Sequence, residues 1–260
     1  MNNIAYYHMN LTDHPVVWTD IFIEQMKYME DSHLIDNLEC IKIRCITQED
    51  QRNVILKELC ESYPAKFEID FIKNPFDNDM DMMYSRDTDK GISETVTLKK
   101  MWDESQNSDH NILYIHTKGV SSYFNHIGPG VIRRHKQYYY WRQLMNWGVL
   151  ERWKDCVTAL SSNDTAGCNY IPTPSPHYCG NFWWTKSSHV RRLNDPMQVD
   201  WWKDLKSKNE SLSKYHLRFR DEMWICSHPD TRSYDIVNID NSIETFMECL
   251  PKHKYEDALR

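Results

Sequence analysis

The apolar positions of this chain follow two periods that take turns along its first part. Ile4 to Met9 is a short β-prone run and predicts a first strand, followed by a loop over 10–14. Val17, Ile21, Phe22, Met26 and Met29 recur at helical spacing and predict a helix over 17–29. Leu38, Cys40, Ile41, Ile43 and Cys45 predict a second strand over 38–46. Residues 49–63 predict a helix stopped by Pro64, and residues 67–72 alternate again as a third strand. Strand, helix, strand, helix, strand is the order of a parallel α/β sheet.

Beyond it, residues 74–91 are polar, carry Asp77, Asp79, Asp81, Asp87 and Asp89, and predict a loop. An acidic run of this kind is usually a solvated surface. Ser93 caps a predicted helix to Trp102, with Val96, Leu98, Met101 and Trp102 facing inward. Residues 130–160 are mostly helical in pattern. A strand follows over 165–170, and Pro172, Pro174 and Pro176 hold an extended loop. Residues 188–193 start a helix, 200–214 read as polar and irregular, 219–226 as a short helix, and 233–239 as a late strand. The last twenty residues read as a tail or terminal helix.

The most informative stretch is Ile112-Leu113-Tyr114-Ile115-His116-Thr117-Lys118-Gly119. A short apolar run straight before a polar cluster predicts a central strand, covered on both faces, that ends at a site. Ligands of open α/β sheets bind outside the carboxyl ends of such strands. His116 can donate, accept or bind metal, and Lys118 brings a compact positive charge suited to an anion such as phosphate. Gly119 lets the chain turn sharply. The competing reading is a strand that happens to end in polar residues.

Length and charge narrow the classes. At 260 residues the chain can bury one large core, or one core with a small subdomain. Its net charge of −7, with both signs interspersed, argues against a nucleic-acid surface. No apolar run approaches the roughly 20 residues that cross a membrane. Residues 1–8 lack the basic segment and apolar core of a signal peptide, so a cytoplasmic location is expected. Cys40, Cys45, Cys60, Cys156 and Cys249 read as small core fillers. His177 with Cys179, and Cys226 with His228, are pairs whose spacing does not match the common zinc patterns. The 10 Trp and 15 Tyr make surface platforms for sugars or bases conceivable, with core packing the default for each.

Four motifs taken together carry a family resemblance. They are Glu94-x-x-Thr97-Leu98-x-x-Met101-Trp102, Tyr114-Ile115-His116-Thr117-Lys118-Gly119, Gly180-Asn181-Phe182-Trp183-Trp184 and Arg220-Asp221-Glu222-x-Trp224. In this order the sequence resembles glycosyltransferases of giant viruses, algae and bacteria that build surface glycans. The resemblance implies a single GT-A-like α/β domain over 1–240, with a mainly parallel central sheet flanked by helices and residues 241–260 as a tail or helix. It implies transfer of a sugar from a nucleotide-sugar donor to a glycan or glycoprotein acceptor. It also implies Mn²⁺ or Mg²⁺ held by Asp-x-Asp at the end of the central strand. Here His116-Thr117-Lys118 stands in that place, which leaves metal dependence open. A protonated lysine cannot ligate a metal but can offset diphosphate charge directly.

Expected roles follow. His116, Lys118, Gly119 and His228 would bind the donor diphosphate. Gly180, Asn181, Trp183 and Trp184 would bind sugar, with one Trp as stacking platform and the other in the core. Asp221 or Glu222 would be the base of an inverting transfer. Asp221 is preferred slightly, because its shorter side chain at a helix start is held more rigidly. Two other readings stand beside this one. One is a non-catalytic carbohydrate-binding protein on the same fold. The other is a nucleotidyltransferase, set back by the lack of glycine in Asn10-Leu11-Thr12-Asp13-His14.

Overall fold

The computed structural model describes residues 1–11, 15–47, 50–73, 94–120, 129–198, 200–212, 218–237 and 249–257. The aspartate-rich segment and Ser93 lie outside them. In chain order the elements are β1 (Asn2–Asn10), α1 (Pro15–Asp31), β2 (Leu38–Thr47), α2 (Asp50–Glu61), β3 (Phe67–Lys73), α3 (Thr95–Ser105) and β4 (His110–His116). Next come α4 (Pro129–Asn146), α5 (Trp153–Ala159), β5 (Thr165–Gly167), β6 (Tyr170–Ile171), β7 (His177–Tyr178) and β8 (Trp183–Lys186). The chain continues with α6 (Ser187–Val190), α7 (Asp200–Lys208), α8 (Arg218–Trp224), β9 (Ser233–Asp235) and α9 (Lys252–Asp257).

The central sheet has the order β3-β2-β1-β4-β8-β5-β9, and β6 pairs with β7 apart from it. Only β8 runs against its neighbours β4 and β5, so the sheet is mainly parallel. Helices cover both faces, which is the α/β architecture expected from the alternating pattern. The two-residue period of the strands sorts the core. Ala5, Tyr7, Met9, Leu113, Ile115 and Trp184 go to one face, with Trp18, Phe22 and Met26 of α1. Ile4, Tyr6, Ile112, Tyr114 and Trp183 go to the other, with Leu98 and Met101 of α3 and Trp224 of α8. Sheet growth reverses between β1 and β4: β2 and β3 lie on one side of β1, and β4 on the other. A crevice at the carboxyl ends of β1 and β4 is the expected ligand position in such a sheet.

Several elements depart from the pattern reading. Residues 200–208 form a helix rather than irregular chain, because Trp202 and Leu212 bury against Met223 in a small core of their own. The strand expected over 165–170 breaks at Asn169, whose φ of 63° ends β5 before β6 begins. The long helical stretch is interrupted by a π-helical turn, Trp147–Glu151. Helix α9 packs on the domain. Tyr255 is fully buried with its ring 4.8 Å from that of Trp147. Cys40, Cys45, Cys60 and Cys156 are buried as expected, while Cys249 is only half-buried.

Candidate functional site

Two glycine turns meet at the carboxyl end of β4. Thr117 to Val120 closes by a Val120 N–H to Thr117 C=O bond of 3.3 Å, and Tyr178 to Asn181 by a turn bond of 2.9 Å. The third residue of each turn is a glycine at positive φ, Gly119 at 96° and Gly180 at 97°. Such a turn favours a residue free of Cβ there. Space favours it too: a Cβ on Gly119 would lie 3.3 Å from Tyr138 Cβ, and one on Gly180 would collide with the Met145 sulfur.

Helices α1 and α4 hold the first turn from behind. Arg142 grips Glu24 through two nitrogens at 2.7 and 3.1 Å and donates to the Lys118 carbonyl at 3.1 Å. Gln25 donates to the His116 carbonyl at 3.3 Å and to Asn146 at 3.2 Å. These contacts place the backbone of residues 116–118, so the lysine side chain starts from a rigid base. Its ammonium then lies 4.4 Å over the Trp141 ring and 3.8 Å from Glu222 Oε1.

His116 and His8 are register partners across β4 and β1. His8 Nδ1 meets the Thr97 hydroxyl at 2.8 Å, and His116 Nε2 donates to the Gly180 carbonyl at 2.9 Å. Burial first, and then the nearby Lys118 charge, pull His116 down to about 3, so the ring is neutral. Glu94, just ahead of α3, accepts from the Tyr114 hydroxyl at 2.9 Å and from the Asn181 amide at 2.7 Å. Burial, reinforced by the Glu94 charge, raises the Tyr114 phenol well above its ordinary range and keeps it a donor.

The two acidic neighbours on α8 part company. Asp221 is buried, accepts the Thr95 hydroxyl at 2.7 Å and pairs with Arg220 Nε at 3.5 Å. Glu222 is more open and faces Lys118. The geometry therefore reverses the preference drawn from side-chain length: Asp221 braces α8 against α3, and Glu222 points to the crevice.

The remaining expected residues separate. Gly180 and Asn181 join His116, Lys118 and Gly119 at the crevice. Asn181 is fully buried and acts as a brace, bonding Glu94 and accepting from the Trp183 indole at 2.7 Å. The tryptophan platform is corrected. Trp183 and Trp184 are both fully buried, on opposite faces of the sheet. Trp183 stacks on Tyr114 at 4.9 Å, and the Trp184 indole donates to the Val149 carbonyl at 2.8 Å. Neither ring has a face left for a sugar, because a strand covered on both sides buries both parities. His228 bonds Arg192 at 3.0 Å and the Asp230 amide at 3.2 Å, a different set of neighbours from the crevice cluster.

Glu94, Trp141 and Arg142 were not expected as site residues. Glu94 did open the first motif, but only the fold brings it to the end of β4. Among the described residues no group of three His, Cys, Asp or Glu side chains could hold a metal ion. Lys118 lies two residues past the end of β4.

A family model described as "Domain of unknown function (DUF8361)" matches residues 6–258, so the chain belongs to that family. No curated protein matches the sequence. Among solved structures, mouse xyloside xylosyltransferase 1 in its apo form is similar at 11% identity and a TM-score of 0.41, over 90% of this chain and 84% of that one. HddC from Yersinia pseudotuberculosis is similar at 12% identity and a TM-score of 0.37, over 74% and 80%. The 4-diphosphocytidyl-2C-methyl-D-erythritol synthase of Anaerococcus prevotii DSM 20548 is similar at 7% identity and a TM-score of 0.40, over 95% and 96%.

Proposed function

We propose that this member of the DUF8361 family is a glycosyltransferase that binds a nucleotide-sugar donor by its diphosphate and passes the sugar to a glycan acceptor. The observation that carries the reading is Lys118. Its ammonium is held at the carboxyl end of a central strand, beside a carboxylate, at the switch point of the sheet. The Glu222 pair at 3.8 Å is too long for a tight hydrogen bond, so the ammonium can turn to a diphosphate without breaking one.

In an inverting transfer Glu222 takes the proton of the acceptor hydroxyl while its oxygen attacks the anomeric carbon. The bond from that carbon to the diphosphate breaks, and its electron pair leaves with the diphosphate. Lys118 offsets the charge that develops there. Motif resemblance supports this reading, and so does the bracing of the Lys118 turn by α1 and α4. The alternative, a carbohydrate-binding protein without turnover, draws on the lack of Asp-x-Asp at the end of β4 and on the Lys118–Glu222 pairing.

Thermal-shift titration against a panel of nucleotide sugars and nucleoside diphosphates, with and without Mn²⁺, tests the donor. Wild type should be stabilised by a nucleoside diphosphate. Lys118→Ala should weaken that affinity by about tenfold to a hundredfold, the range for a charged hydrogen bond. Equal affinity in wild type and variant would remove Lys118 from the site. Donor hydrolysis separates the enzyme from the binding protein.

A further inference from the structure

Two hydrogen-bond acceptors face each other at the end of β4 with no donor from the described residues between them. The Gly180 carbonyl can only accept, so Nε2 of His116 carries the ring proton. Because the ring is neutral, Nδ1 presents a bare lone pair. Opposite it, Glu94 uses one carboxylate oxygen for its partners: Oε2 takes both the Tyr114 hydroxyl and the Asn181 amide. Oε1 accepts no hydrogen bond from the described residues and stands 3.8 Å from His116 Nδ1. Two lone-pair atoms at that distance cannot satisfy each other.

The His116 side chain is only 9% exposed and that of Glu94 21%. The pair is therefore a sheltered acceptor notch, held in place by Gly180 behind the histidine and by Tyr114 and Asn181 behind the glutamate. It lies beside the charges of Lys118 and Glu222, both of which act on His116. Lys118 disfavours a second cation in the notch. A neutral group with two adjacent donors suits it better, and neighbouring hydroxyls on one sugar ring are such a group.

We infer that Glu94 Oε1 and His116 Nδ1 hold a vicinal diol of a sugar ring, making Glu94 a specificity-determining residue. The choice of ligand class rests on the nucleotide-sugar reading above. The diol belongs to the ribose of the nucleotide or to the sugar being transferred, and the two sources separate by experiment.

Uridine and guanosine diphosphates, their common nucleotide sugars and the 2′-deoxynucleoside diphosphates are titrated into wild type and Glu94→Gln. The amide keeps an acceptor for Tyr114 and Asn181 but can place its NH₂ where Oε1 stood, turning an acceptor into a donor. A nucleotide-sugar affinity about tenfold to a hundredfold lower in Glu94→Gln supports the inference. If nucleoside diphosphates lose the same factor, and wild type discriminates against the deoxy forms, the diol is ribose. If only nucleotide sugars lose it, the diol is on the transferred sugar. Equal affinities in wild type and variant overturn the inference while leaving the diphosphate reading intact.

Should Glu94→Gln melt several degrees lower, 2′-deoxy and deoxysugar ligands on wild type decide the question without a mutation: weaker binding of either supports the diol, and undiminished binding of both overturns it. Should wild type bind no phosphate-bearing ligand, the function proposed above fails, and methyl glycosides test the notch alone. Saturation transfer to them in wild type, lost in Glu94→Gln, supports the notch; no transfer in wild type overturns it.

Discussion

Asp221 and Glu222 are chain neighbours with opposite surroundings. On a helix, adjacent side chains diverge by about 100°, so one faces the packing and the other the crevice. Asp221 meets Thr95 and Arg220, and Glu222 meets Lys118. The two substitutions should therefore fail in different ways. Glu222→Gln is expected to lower the turnover rate by about 10²–10⁴-fold with donor affinity and melting temperature held. Asp221→Asn is expected to cost stability instead, about 1–3 kcal/mol, because it unbalances a buried pair. Steady-state kinetics beside denaturant titration of both variants checks the assignment. Normal turnover in Glu222→Gln would return the base to another residue.

At the scale of elements, the site depends on turns more than on helices or strands. The Gly180 turn delivers a carbonyl to His116 and sets Asn181, itself at a φ of 61°, against Glu94. Gly180→Ala would force a Cβ into a backbone region that suits glycine and into the Met145 side chain. A loss of about 1–3 kcal/mol is expected from the backbone alone. Donor affinity should fall with it, since the His116 ring loses its anchor. Wild-type stability in a urea melt of Gly180→Ala would show that the turn relaxes freely. The tryptophan pair makes the complementary point. Alternation along β8 sends Trp183 and Trp184 to opposite faces, as expected, but helices cover both faces and neither ring is left to a ligand.

For the whole molecule, two buried histidines, His116 and His189, set a pH dependence. His116 falls from 6.5 in the unfolded chain to about 3 in the fold, chiefly through burial. Between those values the unfolded state binds more protons, so stability rises with pH across that window. The contribution is fully present above about pH 6.5 and is lost as pH falls toward 3. His189, lowered by burial against the opposing effect of its bond to the Ile225 carbonyl, acts in the same direction. From pH 7 to pH 5 His116 alone should remove about 2 kcal/mol. Urea titrations at the two pH values should show that drop, and His116→Gln should flatten it. An unchanged slope in the variant would mean that His116 titrates normally in the fold.

The α/β alternation, the central strand ending at His116 and the glycine after Lys118 were all legible in the sequence. Each depends on local chemistry: a two-residue or helical period, a burst of polar residues, a backbone angle that suits glycine. So was the lysine two residues past that strand. Other features needed the tertiary structure, because they join residues far apart in the chain. Glu94 meets Asn181 across 87 positions, and Thr95 meets Asp221 across 126. Which of two acidic neighbours faces the crevice, and whether a tryptophan is platform or core, depends on what packs against each face. Helical structure over 200–208 was likewise hidden, since a polar stretch becomes a helix here by burying Trp202 in a separate small core. Sequence periodicity thus determined the layers of this protein, and long-range packing decided which polar groups face the crevice at their edge.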